Sequence, residues 1–119
     1  MNIAIFQSAC AGLSSAEKID RLSRYIVEYN EIEHDPLDLV ICPELFITGY
    51  NVGEELNKNA EPAQGASFTA IARLCQQLNT AIVYGYAEVS GDELHNSAAF
   101  VSKDGDLVEI ADALGDLLY

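Results

Sequence analysis

A glutamate that directly follows a short apolar run is the residue of this chain best suited to proton chemistry. The run extends from Leu39 to Cys42, and Pro43 separates it from Glu44. Such an unbroken apolar run is typical of a strand buried on both faces of a parallel sheet, and proline suits a strand end because it lacks a backbone donor. Ligand sites in α/β proteins lie where loops leave the carboxyl ends of strands. We therefore expect Glu44 to lie at such a site.

The residues after Glu44 favour a role as a general base. Leu45, Phe46 and Ile47 are large and apolar, and the segment 48–50 then turns the chain. Enclosure by apolar side chains disfavours the charged form of a carboxylate, which makes it a stronger proton acceptor. A lone glutamate at a strand end is more often structural than catalytic. The assignment of Glu44 as a base therefore depends on motifs elsewhere in the sequence.

A thiol two residues before this glutamate is a second candidate. Side chains two positions apart in a strand point to the same side, which places Cys42 on the side of Glu44. A reactive thiol needs a base and a positive neighbour, and no cation is nearby in the sequence. We interpret Cys42 as an inert buried thiol, with nucleophilic catalysis as the alternative.

The segment PELFITGY at 43–50 resembles a motif of the nitrilase (carbon–nitrogen hydrolase) superfamily. Two later segments match the family in the same order: AIVYGYAE at 81–88 resembles its next strand, and NSA at 96–98 with SKDG at 102–105 resembles the following hairpin. The match covers the N-terminal part of the family's domain only. The resemblance implies that Glu44 is the general base, and that Tyr50 and Asn96 support the site structurally.

The resemblance also implies a reaction on small amides or nitriles. In the family a cysteine thiolate attacks the carbon of a non-peptide carbon–nitrogen bond, a glutamate moves protons and a lysine stabilises the charged intermediate, without metal or organic cofactor. This chain has only Lys18, Lys58 and Lys103, which we predict on a solvated helix face, in a polar loop and in a hairpin turn. The nucleophile segment is also missing. We therefore expect the chain alone to be inactive.

Two hypotheses from different classes follow. The chain is either a truncated or frameshifted product of a nitrilase-type amidohydrolase, or a non-catalytic acidic interaction module that uses the same half-fold. Reading the encoding DNA past codon 119 would separate them, because a second frame with the lysine and cysteine segments supports the first. We prefer the first hypothesis, because a binding module would not need Glu44 and its apolar neighbours.

The order of elements predicts an α/β fold that corresponds to the first part of a nitrilase-like α-β-β-α sandwich. Ser14 and Glu17 form a capping-box pattern ahead of apolar residues at helical spacing. Three parallel strands and an antiparallel fourth are expected, and the near-continuous apolar run at 2–8 should be a central strand. The predicted helices span 15–33 and 67–79, and the later strands span 39–42, 80–88 and 95–102.

The C-terminal segment departs from the family pattern. Leu107, Ile110 and Leu114 recur at helical spacing, so we predict a divergent amphipathic helix over 106–119, after a partial hydrolase domain over 1–105. A half-fold leaves apolar sheet surface uncovered, and such patches usually mark contacts. We therefore expect a homodimer or higher oligomer that buries the apolar stripe of this helix.

Composition limits the remaining functions. The formal net charge of the 119 residues is -13, which disfavours nucleic acid and anionic membranes as partners. No apolar stretch approaches the about 20 residues needed to span a bilayer, and the N-terminus lacks the basic start of a signal peptide. Three cysteines without metal-like spacing predict reduced thiols and no metal site. We expect a cytoplasmic protein.

Overall fold

A five-stranded mixed sheet organises the fold. The structure is a computed structural model that describes residues 1–7, 12–33, 35–43, 46–47 and 60–112. In spatial order the strands follow the chain from β1 to β5, with β1, β2 and β3 parallel and the later pairs antiparallel. The elements are β1 (Ile3–Ile5), α1 (Ser15–Glu33), β2 (Leu39–Ile41), α2 (Ala66–Leu78), β3 (Ala81–Ser90), β4 (Glu93–Val101) and β5 (Leu107–Asp112). The predicted α/β class and the parallel arrangement of the first three strands are confirmed.

Helix α1 begins at the predicted capping box. The backbone N–H of Ser14 donates to Glu17 Oε1 at 3.0 Å, and the backbone N–H of Glu17 donates to Ser14 Oγ at 3.1 Å. Two backbone donors that the helix itself leaves without partners are thereby satisfied. The pattern therefore predicted both the start of α1 and its local cause.

One face of the sheet is covered by both helices. A row of register partners crosses all five strands on this face: Ala4, Val40, Ile82, Val101 and Leu107. The side chains of the three middle members are fully buried, and they share one core cluster with Leu22 and Ile26 of α1 and Ile71 and Cys75 of α2. The hydrophobic core thus lies between this face and the helices.

The opposite face of the sheet is apolar and open. Its central row joins Ile5, Ile41, Val83 and Phe100 across four strands. Ile5 is 64% exposed, and Ile41 and Phe100 are each more than one-third exposed. No described residue packs a second layer over this row. Below, we call these four residues the open face.

Strand β1 lies at the edge of the five-stranded sheet, so the prediction of a central strand is wrong for the described part of the chain. Its apolar run was typical of a strand covered on both faces. Here Ala4 faces the core, whereas Ile3 is 54% exposed on the other side. The apolar composition of β1 is thus typical of a strand covered on both faces, whereas the described residues cover only one face of β1.

The predicted helix from Asp106 is also wrong over 107–112, where the chain forms β5; residues 113–119 lie outside the described residues. A register irregularity between Phe100 and Val101 explains the misleading spacing. Val101 pairs with Leu107 and Ala99 pairs with Ile110, so a β-bulge lets two residues of β5 that are three apart pair with two residues of β4 that are two apart. That interval is the one expected of a helix face.

Candidate active site

The carboxyl ends of β1, β2 and β3 meet at one edge of the sheet, because the three strands are parallel. Glu44 follows β2 by three positions, and both Glu44 and Tyr50 lie outside the described residues. Pro43, directly before Glu44, is described, and so are Phe46 and Ile47, two and three positions after it, so the structure defines how the chain leaves β2. This exit is the centre of the candidate site.

Backbone hydrogen bonds attach the chain to β3 on both sides of Glu44. Before it, the N–H of Cys42 donates to the carbonyl of Val83 at 2.8 Å, and after it, the N–H of Ile47 donates to the carbonyl of Gly85 at 3.1 Å. The N–H of Phe46 also donates to the carbonyl of Pro43 at 3.1 Å. The candidate base is therefore bracketed by two fixed attachments to one strand.

The side chains around this exit are apolar, as the sequence predicts. Phe46 and Ile47 are both buried, and the ring of Phe46 meets that of Phe6 edge-on with centroids 5.6 Å apart. Phe6 is itself tied to β2, because its N–H donates to the carbonyl of Ile41 at 2.9 Å. The expectation of an apolar surround holds for Phe46 and Ile47; Leu45 lies outside the described residues.

Lys18 does not lie on a solvated face of α1, so that prediction is wrong. Its side chain is only 7% exposed, and Nζ donates to the carbonyl oxygen of Ile47 at 3.3 Å. Lys18, Leu22 and Ile26 recur every four residues and form the buried stripe of α1. The four-residue spacing predicts a buried position for Lys18, whereas the charge of its side chain predicts an exposed one.

Asn96 lies on β4 opposite Ala87 and is buried, as is the neighbouring Ser97. The hydroxyl of Ser97 donates to Glu88 Oε1 at 2.8 Å, which links β4 to the end of β3. Both positions are therefore inside the fold near the carboxyl end of β3. The supporting role of Asn96 stays a prediction.

Two buried tyrosines on β3 lie near the candidate site, although neither of them was assigned a role from the sequence. Tyr84 and Tyr86 occupy alternate positions of the strand, with ring centroids 5.5 Å apart. Burial raises the pKa of Tyr86 well above its usual range, and the nearby carboxylates of Glu88 and Glu61 add to the shift. Its hydroxyl has no hydrogen-bond partner among the described residues. Tyr86 is therefore a neutral phenol at this end of the sheet.

The described cysteines are buried thiols. Cys42 and Cys75 form no disulfide, and burial raises the pKa of the Cys75 thiol to about 12. Cys75 therefore stays protonated and unreactive at neutral pH. Over the described ranges, no cluster of metal-binding side chains occurs and no helix is long and apolar enough to cross a membrane.

Comparisons with known proteins show which sequences this chain resembles. The sequence model of the family described as carbon-nitrogen hydrolase matches residues 2–114. The chain is 34% identical over 107 residues to the "Hydrolase in pqqF 5'region" of Pseudomonas protegens, a match that covers 88% of this chain and 36% of that protein. It is also 32% identical over 68 residues to an "(R)-stereoselective amidase" of a Pseudomonas species, covering 57% of this chain and 25% of the amidase.

A solved structure shares the fold. The crystal structure of a carbon-nitrogen hydrolase from Helicobacter pylori superposes with a TM-score of 0.73 at 18% identity and covers 98% of this chain. The matched part is 43% of that structure. The chain thus spans less than half the length of each of these three proteins.

Proposed function

Because the chain belongs to the carbon-nitrogen hydrolase family, we propose that it supplies the general-base part of a Glu-Lys-Cys machinery that acts on small amides or nitriles. The observation that carries this proposal is the double attachment of the β2 exit to β3, at Cys42 and at Ile47. A base has to be held within hydrogen-bond reach of the proton that it moves. Attachments on both sides of Glu44 restrict where its backbone can go.

The reaction requires three groups with separate tasks. A cysteine thiolate attacks the substrate carbon, Glu44 accepts and returns the proton, and a lysine stabilises the charge of the tetrahedral intermediate. We propose that the nucleophile and this lysine are not among the residues of this chain. Cys42 does not replace the nucleophile, because it is buried beside β3. Tyr50 and Asn96 are proposed to support the site structurally.

The 119-residue chain alone should therefore not hydrolyse amides or nitriles above background. Loss of one member of a catalytic set commonly lowers kcat by several powers of ten, and here two members are absent. Turnover that persists through purification and disappears in Cys42→Ala would contradict this expectation. It would identify Cys42 as the nucleophile.

A chimera tests the role of Glu44. Residues 1–112 of this chain are joined to the remaining part of the matched Pseudomonas protegens hydrolase, and hydrolysis of a panel of small amides and nitriles is measured. Glu44→Gln should lower kcat by about a hundredfold or more. The control is Glu28→Gln, an exposed position on α1, which should leave kcat unchanged. A folded, active chimera that is insensitive to Glu44→Gln would contradict the proposal.

The alternative function is a non-catalytic acidic interaction module. The open face favours it, because contiguous exposed apolar surface usually marks a contact. Since 107–112 form a strand, we replace the predicted helical stripe with the open face as the surface of self-association. The cytoplasmic location expected from the sequence also stays a prediction.

A further inference from the structure

Lys18 occupies a position that packing alone would give to an apolar residue. It continues the buried stripe of Leu22 and Ile26 by one turn toward the start of α1. Lysines are rarely buried to this extent, because removing an ammonium group from water is costly. The buried ammonium group of Lys18 therefore needs a specific hydrogen-bond partner.

One such contact is to the backbone just beyond the candidate base. The ammonium group of Lys18 donates to the carbonyl oxygen of Ile47, three positions after Glu44. The N–H of the same residue donates to Gly85 on β3. Ile47 is thus held from the helix through its carbonyl and from the sheet through its N–H. A hydrogen bond from a charged donor in a buried place is stronger than a neutral one.

We propose that Lys18 is a positioning residue that fixes the exit of β2, and with it the backbone that carries Glu44. This inference rests on the proposed function of Glu44. Lys18 acts through Ile47 and is distinct from the lysine that stabilises the reaction intermediate. Without the Lys18 ammonium, Ile47 keeps its attachment to β3 but loses the one to α1.

The test compares Lys18→Met with Arg24→Met in the 119-residue chain by NMR. Arg24 is a matched control, because it lies on the same helix and its exposed side chain pairs with Asp20. Lys18→Met should shift the carbonyl carbon resonance of Ile47 and speed amide exchange at Ile47 by about tenfold or more relative to the core amide of Ile71 on α2. Arg24→Met should change neither signal.

Conservative variants separate positioning from packing. Lys18→Arg keeps a charged donor and should restore slow exchange at Ile47, whereas Lys18→Gln keeps a weaker donor and should give an intermediate rate. If Lys18→Met does not fold, Lys18→Gln is compared with Arg24→Met instead, by the same carbonyl resonance and amide exchange rate of Ile47. An Ile47 carbonyl resonance and exchange rate equal to those of Arg24→Met would overturn the proposal.

The chimera adds a functional readout. There Lys18→Met should lower kcat by about tenfold with little change in KM, because a misplaced base affects the chemical step more than substrate binding. An unchanged kcat in an active chimera would overturn the link to Glu44. An inactive chimera would count against the proposed function alone, because the Ile47 signals are measured in the chain itself.

Discussion

The carboxylate of Glu61 accepts hydrogen bonds from both the backbone N–H and the hydroxyl of Ser67, at the start of α2. The backbone of Glu61 is bonded at the same time to β3, through its N–H to Ala87 and through its carbonyl to Val89. Gly65, the residue at the N-cap, provides no side-chain cap. Glu61 therefore does the capping from outside the helix and ties α2 to the sheet.

Replacing Glu61 with alanine should lower the free energy of unfolding by about 1–2 kcal/mol, the usual cost of losing a helix cap. The measurement is urea denaturation followed by circular dichroism. Glu109→Ala, at an exposed position of β5, controls for the loss of a negative charge and should change stability by less than about 0.5 kcal/mol. Equal effects of the two substitutions would show that Glu61 does not cap α2.

Gly105 is required by both its conformation and its surroundings. Its φ is +85°, and a Cβ at this position would lie 2.9 Å from the side chain of Gln76 on α2. Gln76 can move aside only by giving up the hydrogen bond from its Nε2 to the carbonyl oxygen of Asp104 at 2.8 Å. Gly105→Ala should therefore destabilise the chain by more than the about 1–2 kcal/mol of a left-handed alanine alone. Gly91→Ala is the matched control, because Gly91 has a φ of +62° with nothing within 4 Å of its Cβ position. Equal losses for the two variants would mean that Gln76 moves away freely.

The capping box of α1 should make stability depend on pH. Hydrogen bonds from Ser14 lower the pKa of Glu17 in the folded state. A lowered folded-state pKa means that this stabilisation is present above the unfolded-state pKa and is lost as the pH falls through the folded-state pKa. The midpoint of thermal unfolding should be higher than in Glu17→Gln at about pH 7, and the difference should shrink as the pH falls below about 4.3, the ordinary pKa of a glutamate.

Glu31→Gln on the same helix controls for the change in net charge. A difference between the wild-type chain and Glu17→Gln that persists unchanged into acid would show that the Glu17 carboxylate does not contribute through its charge. The measurement needs only thermal unfolding curves of the wild-type chain and the two variants at two pH values.

Self-association through the open face should be sensitive to charge at Ile5. Ile5→Lys introduces a cation into the apolar row and should lower the mass measured by light scattering. Ile32→Lys is the matched control, because Ile32 is 71% exposed on α1, away from the sheet, and adds the same charge. A wild-type chain that is monomeric at all concentrations would remove the open face as a self-association surface.

The local parts of the fold could be predicted from the sequence, because their causes lie within a few residues. Ser14 and Glu17 specify the start of α1, and the apolar run at 39–41 specifies a strand. The burial of Lys18 could not be predicted with the same certainty, because its spacing with Leu22 and Ile26 indicates a buried position and its charge indicates an exposed one. The capping role of Glu61 gave no local signal, because it depends on how the sheet brings the segment to α2.

Two errors had tertiary causes. The bulge beside Val101 changed the strand repeat of β5 into a spacing typical of a helix. The edge position of β1 depends on which strands are present to flank it, and Ile3 and Ile5 are equally apolar in either case. Apolar composition indicates that a strand prefers enclosure, but it does not tell which partner provides it.

The sequential strand order has a consequence for the path of folding. β3, β4 and β5 pair through short turns, whereas β1 with β2 and β2 with β3 must each close a connection that contains a whole helix. Loop-closure entropy favours the short connections. We therefore expect the amides of the 81–112 meander to gain protection first in pulsed hydrogen exchange. Protection of β1 and β2 at the same time as the meander would contradict this expectation. β2 takes part only in the slow pairings. The residues that carry the proposed chemistry are therefore the last to be assembled, and an intermediate arrested early would contain the meander without its site.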